Sequence, residues 1–126
     1  MRENLSDMPF RGLFLLFLSV FWLNPAFSAC DDEAGPAVNW ANCHFTDLDL
    51  KNKDLSDAVF TGASFNNADF TDARLDNADF NFAKFENVRF DSARMPGARL
   101  VAVKANGVSF KNAMLDNSRF SRSILN

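Results

Sequence analysis

Large apolar side chains recur in this chain at every fifth position from residue 40 onward. Ten Phe lie beyond residue 29, and nine of them, Phe45, Phe60, Phe65, Phe70, Phe80, Phe85, Phe90, Phe110 and Phe120, share one register. Trp40, Leu50, Leu55, Leu75, Met95, Leu100, Leu115 and Leu125 fill most of its other positions, Ala105 is its one small member, and Phe82 alone falls outside. Two residues earlier in each unit, the fourteen positions from Ala58 to Ser123 hold nine Ala, three Val and two Ser. The remaining positions are largely polar. The last of them collects Asn42, Asp47, Asn52, Asp57, Asn67, Asp72, Asn77, Asn87, Asn112 and Asn117, together with Gly62, Gly97 and Gly107. These are the residue types that a tight turn favours.

A period of five matches neither the 3.6 of a helix nor the 2 of a strand, so neither element keeps these Phe on one face. The backbone has to turn every five residues. Two inward residues of unequal size followed by a polar corner describe a square solenoid whose coils stack at strand spacing, about 4.8 Å.

Ala68-Asp69-Phe70-Thr71-Asp72 and Ala78-Asp79-Phe80-Asn81-Phe82 resemble the A(D/N)LXX unit of the pentapeptide-repeat family. The resemblance covers residues 38–126 and implies an all-β fold, a right-handed quadrilateral parallel β-helix. With four units per coil, as in that family, about 20 residues separate stacked neighbours, which gives about 4.4 coils and a rod on the order of 20 Å long. The expected inner columns are Phe45, Phe65, Phe85, Ala105 and Leu125; Leu50, Phe70, Phe90 and Phe110; Leu55, Leu75, Met95 and Leu115; and Trp40, Phe60, Phe80, Leu100 and Phe120. Ala105 predicts a thin spot. Leu48 and Lys53, which stand in small-residue slots, predict a distorted first coil.

Ahead of the repeats, Gly12 to Leu23 is an uncharged apolar run preceded by Arg2 and Arg11 and followed by Asn24, Pro25 and the small residues Ala26, Ser28 and Ala29. At about 1.5 Å per residue it covers roughly 18 Å of a hydrocarbon core about 30 Å thick, which fits a signal peptide better than an anchor. The chain therefore divides into a signal peptide, 1–29, an N-terminal lead-in or cap, 30–37, and the solenoid, 38–126. Export to the periplasm or the cell exterior is the expectation, with no membrane span once the signal is removed; an uncleaved anchor is the alternative. Exported chains meet oxidising conditions, and Cys30 and Cys43 are the two Cys present, so a disulfide between them is expected. It would close a loop of about 13 residues, worth roughly 3 kcal/mol by loop entropy. The competing reading is lipid attachment, because Phe27-Ser28-Ala29-Cys30 resembles the lipobox of bacterial lipoproteins.

A net charge of −3 with 48% hydrophobic residues excludes a disordered chain and argues against a nucleic-acid binder, which needs a basic excess. The charge is unevenly distributed. Residues 30–80 hold 11 acidic and 3 basic side chains, whereas 81–126 hold 3 acidic and 8 basic. In the outer columns acid precedes base: Asp49, Asp69, Arg89; Asp54, Arg74, Arg94; Asp79, Arg99, Arg119. One reading is that these charges pair across coils, each exposed pair worth under about 1 kcal/mol. The other is a basic patch of Lys84, Arg99, Lys104 and Arg119 for an anionic partner or an envelope protein. The last coil is expected to leave an open strand edge suited to homodimerisation, a mode the resemblance also implies, with the outward Phe82 as a second contact.

Chemistry is hard to assemble from this inventory. One His, His44, in an outward slot, and two separated Cys make no zinc site and leave a Ser or Cys nucleophile without a base. Asp31-Asp32-Glu33 reads as an acidic surface segment, and Asp49, Asp54 and Asp69 are what the repeat itself calls for. No catalytic residue, metal or cofactor is expected, and the chain is read as a non-enzymatic structural or binding solenoid. The resemblance also admits a topoisomerase-binding DNA mimic, as in the fluoroquinolone-resistance members that protect gyrase. Export, the short rod and its basic second half oppose that reading.

Overall fold

A computed structural model describes residues 29–126; the expected signal peptide lies outside the described residues except for Ala29. From residue 38 the chain coils with a rung every 20 residues. Its five strands, β1 (His44–Thr46), β2 (Ser64–Asn66), β3 (Lys84–Glu86), β4 (Lys104–Asn106) and β5 (Ile124–Leu125), form one parallel sheet in chain order. Register is kept throughout, with Phe45 opposite Phe65, Phe65 opposite Phe85, Phe85 opposite Ala105 and Ala105 opposite Leu125.

Three more faces are built from single bridges. Asp49–Asp69–Arg89–Ser109 runs up the second face, Asp54–Arg74–Arg94–Met114 the third, and Asn39–Val59–Asp79–Arg99–Arg119 the fourth. This is an all-β parallel β-helix of four faces, and the outer columns are those the repeat predicts. Rungs are joined by the N–H of each large residue, as in Phe60 to Asp79 O at 2.7 Å and Phe70 to Arg89 O at 2.7 Å.

The corners explain the sequence at its polar slots. On the last three faces the small residue's N–H closes a turn onto the carbonyl three residues back, as in Ala63 to Phe60 at 3.0 Å and Ala98 to Met95 at 3.2 Å. The residue between them takes a left-handed backbone: φ is 61° at Asn42, 61° at Asp57 and 58° at Asn77. That is the third position of a type II turn, where Gly or Asn is favoured. Gly62 (φ 70°) occupies such a corner, and an added Cβ would also collide with the Asn42 side chain one rung below.

The interior is a continuous apolar column from Val38 to Ala105 with no buried polar or charged residue among the described residues. Rings in one column stack, Phe60 on Phe80 at 4.7 Å and Phe70 on Phe90 at 4.8 Å. Rings on neighbouring faces meet edge to face, Phe65 with Phe70 at 5.2 Å and Phe80 with Phe85 at 5.4 Å, the geometry that aromatic quadrupoles prefer. Towards the last rung burial falls away: Phe110, Leu115 and Phe120 are half-buried and Leu125 is 52% exposed.

The first coil does not distort, contrary to the sequence expectation. Asn52 keeps the corner conformation at φ 62°, and Lys53 N–H closes its turn onto Leu50 O at 3.3 Å. Lys53 is exposed and Leu48 half-buried. Their slots lie in the first rung, where no full coil is stacked beneath, so a long polar side chain leaves the stack without moving the backbone. Ala105 is buried at 4% exposure. A shallow groove of about 660 Å³ runs over its column, floored by Phe65, Phe85 and Ala105.

The lead-in residues lie across the first rung. Cys30 and Cys43 are joined, with Cα atoms 5.6 Å apart, and Cys43 fills a small-residue slot at 1% exposure. Ala29 N–H reaches Asn39 O at 3.2 Å, and the Trp40 indole N–H donates to Asp32 O at 3.2 Å.

Candidate functional surface

The slot before each large residue holds half of the charged residues of the coils, and it has a structural use. Where it holds Asp or Asn, the side chain accepts from the backbone N–H two residues on: Asp69 Oδ1 from Thr71 at 2.9 Å, Asp79 Oδ1 from Asn81 at 2.9 Å, Asp49 Oδ1 from Lys51 at 3.1 Å and Asn39 Oδ1 from Ala41 at 3.1 Å. This Asx turn satisfies an N–H that points away from the ladder at the corner.

Higher in the rod the slot is mostly Arg, Lys or Ser, and at two of these units the coil below supplies the acceptor. Asn81 Oδ1 takes the Val101 N–H at 2.9 Å and Asp91 Oδ1 the Lys111 N–H at 3.3 Å, while Pro96, following Arg94, has no N–H to satisfy. Sequence reasoning missed Asn81 and Asp91. Their signal is a polar side chain one rung below a unit that lacks its own Asp.

These bonds set the carboxylates' acidity. The Ser56 hydroxyl and backbone N–H hold Asp54 below its ordinary value, and the Ser109 hydroxyl, at 2.5 Å, does the same for Asp91 against the effect of burial. At Asp69 burial opposes the charge, but Thr71, Arg89 and Lys51 outweigh it and the carboxyl stays lowered.

Charge pairing across coils is less general than expected. Arg99 reaches Asp79 at 2.8 Å and Arg94 reaches Asp76 at 3.4 Å across a rung. Arg89 turns instead to Asp91 in its own coil at 3.2 Å, Arg74 to Asp76 at 3.6 Å, and Lys51 to Asp49 at 3.8 Å. Asp49 and Asp69 are opposed to each other, and Asp69 to Arg89, without an ion pair.

Of the predicted basic patch, Lys84 and Lys104 are register partners on β3 and β4. Arg99 and Arg119 are bridge partners on the adjoining fourth face, so the four residues flank one edge of the rod. Arg99 is paired with Asp79, whereas Lys84, Lys104 and Arg119 are exposed and have no carboxylate within 4.0 Å among the described residues. Phe82, at 61% exposure, sits on that same edge. His44 is exposed on β1. Among the described residues no group of three or more His, Cys, Asp and Glu could hold a metal ion, and no helix is long and apolar enough to cross a membrane.

A family model described as pentapeptide repeats, in 8 copies, matches residues 54–91. Residues 54–91 of the chain are pentapeptide repeats. Its repeats match a pentapeptide-repeat protein from the Arabidopsis thaliana thylakoid lumen at 26% identity and TM-score 0.56, over 76% of this chain and 62% of that one. HetL, a pentapeptide-repeat protein involved in heterocyst differentiation regulation in the cyanobacterium Nostoc, matches at 22% identity and TM-score 0.52, over 71% and 49%. A trypsin-treated form of QnrB1, a plasmid-mediated fluoroquinolone resistance protein, matches at 22% identity and TM-score 0.62, over 68% and 44%. This chain thus spans between two fifths and two thirds of the length of these structures, and the likeness to the last two concerns the fold alone. Among curated proteins no significant match is found.

Proposed function

We propose that this pentapeptide-repeat protein is an exported, non-catalytic scaffold of the cell envelope whose C-terminal half binds an anionic partner. One observation carries the reading: Lys84, Lys104 and Arg119 are exposed on two adjoining faces and have no carboxylate partner within 4.0 Å among the described residues. Adjacent like charges repel, and an anion laid across them relieves that repulsion. Export is supported by the apolar run at Gly12 to Leu23 and by the Cys30–Cys43 bond, since structural disulfides persist in oxidising compartments.

The binding claim is tested on immobilised polyglutamate. Lys84→Glu with Lys104→Glu should elute at clearly lower salt than the parent, while Lys51→Glu, on another face, should elute nearly as the parent does; equal elution of all three refutes it. The export claim is tested by intact mass from the native envelope. A chain beginning near Cys30 that gains about 2 Da on reduction supports it, several hundred extra daltons on Cys30 make it the lipid-anchored form, and a retained Met1 refutes it.

The likeness in fold to QnrB1 and the acidic first half favour one second reading, a topoisomerase-binding DNA mimic. Inhibition of gyrase supercoiling at sub-micromolar protein would establish it in place of the first.

A further inference from the structure

The four edges of the rod differ in composition. The edge between the second and third faces carries Lys51, Asp72, Asp91 and Lys111; that between the third and fourth carries Asp57, Asp76 and Asp116; that between the first and second carries Asp47 and Glu86. The edge between the fourth and first faces reads Ala41-Asn42, Thr61-Gly62, Asn81-Phe82, Val101-Ala102 and Ser121-Arg122, with Arg122 its one charge.

Phe82 is the anomaly of that edge. It is 61% exposed and holds a left-handed φ of 63° in a slot that Asn, Asp or Gly fills in most other units. A bulky side chain there is disfavoured by backbone sterics, and its ring gains nothing from the fold. The corner is otherwise regular, with Phe82 N–H on Val101 O at 2.9 Å and Ala83 N–H on Phe80 O at 3.0 Å. Gly62 below and Ala102 above leave the ring standing proud.

Its position supplies the second element. Phe82 stands two residues ahead of β3, the middle strand of the five described, at the height where the chain changes from acidic to basic. Two rungs above it lie Arg122 and Arg119. The rung two below it is Asn39 to Cys43, and the disulfide-bound lead-in crosses under that rung and exposes Asp31, Asp32 and Glu33. The Arg pair is about 10 Å above the Phe82 rung and the acidic group, beneath the Asn39–Cys43 rung, about 14 Å below it at 4.8 Å per rung.

We infer that this edge pairs with a second copy of the chain, antiparallel, about a two-fold axis through the Phe82 rung. A two-fold contact has to be self-complementary. This edge is: the rotation sets Phe82 on the partner's Phe82 and the uncharged corners against each other, and it brings Arg119 and Arg122 to within about one rung, 4.8 Å, of the level of the partner's Asp31, Asp32 and Glu33, a gap that a long Arg side chain spans. Five rungs of one edge cover roughly 300 Å² per copy by strand spacing. A standard stable interface buries about 800 Å² per partner, so this one is of the weak, reversible class with Kd of about 0.1–1 mM. A polyanion bound at Lys84 and Lys104 would compete with it.

The test is sedimentation velocity of the disulfide-bonded protein over a range of concentrations, with three variants. The parent should form dimer reversibly, less so at about 1 M salt, where the Debye length is about 3 Å. Phe82→Asn places the residue the corner prefers, so it should unfold at or above the parent's temperature and yet associate at least about tenfold more weakly. Phe82→Cys should be joined into dimers by a short bis-maleimide, and Lys111→Cys, on the diagonally opposite edge, should not. A parent that stays monomeric at about 1 mM overturns the inference. So does a dimer indifferent to Phe82→Asn, or one trapped equally through Lys111→Cys, which would move the contact elsewhere, for instance to the exposed last rung.

Discussion

Phe85 is the central plug of the sheet face, and replacing it with Ala tests whether the aromatic column carries the stability. The side chain is 2% exposed and meets Phe80 at 5.4 Å and Phe90 at 5.3 Å, both edge to face, and Phe65 at 6.1 Å. Its rung neighbour on the other side is Ala105, so truncation would place two small residues in succession and leave a void that no larger side chain can close. Loss of transfer free energy contributes about 2–3 kcal/mol and the cavity adds about 1–2 kcal/mol. The total, about 3–5 kcal/mol, is a large share of a domain's usual 5–15 kcal/mol.

Urea unfolding followed by circular dichroism is the assay, with the parent, Phe85→Ala and Phe110→Ala compared at equal m. Phe110 keeps its stack on Phe90 at 5.1 Å but is half-buried in the last full rung, so its truncation should cost roughly half as much, about 1.5–2.5 kcal/mol. In thermal melts the Phe85 variant should fall by about 12–40 °C. A loss under about 1 kcal/mol at Phe85, or equal losses at the two sites, would refute the claim that the stack is tightest at its middle.

Reduction of Cys30–Cys43, or Cys30→Ser with Cys43→Ser, should lower stability by about 3 kcal/mol, read from melts with and without reductant. Asp69→Ala removes the acceptor for the Thr71 N–H and should cost about 1–2 kcal/mol, whereas Asp69→Asn, which keeps the oxygen, should cost less than half of that in the same urea assay. Asp54, Asp69 and Asp91 all titrate below their unfolded value of 3.8. Their contribution is therefore complete above that value and lost as pH falls through the lower folded values. Melting temperature should be flat from neutral pH down to about 5 and drop below about 4, with Asp69→Asn flattening part of that drop.

The interior was legible because a five-residue period leaves the backbone few ways to keep Phe60, Phe65 and Phe70 together. Every rung partner named from spacing, Phe45 with Phe65 or Asp79 with Arg99, is a partner in the structure. Less was legible outside. Arg89 turns to Asp91 beside it and not to Asp69 below it, although each carboxylate has one oxygen on a corner N–H, and the repeat pattern does not encode that choice. Lys53 was misread for a related reason: a slot's burial depends on whether a rung lies beneath it, which the unit alone does not state. The edge holding Phe82 could have been found by sorting corner residues by face, an operation that needs the number of units per coil.

The replacement of Asp by Arg up the rod bears on function more directly than the net charge does. Each Asp in that slot both satisfies a corner N–H and keeps the surface acidic, so substituting Arg forfeits a local hydrogen bond worth about 1 kcal/mol. At two of the five Arg the loss is made good by separate means, Asn81 beneath Arg99 and, after Arg94, Pro96, which has no N–H to serve. Lys84 and Lys104 go further, since they sit one above the other in strand register at a spacing where like charges destabilise. The cations so gathered along β3, β4 and the adjoining fourth face are the ones that the proposed anion-binding surface uses.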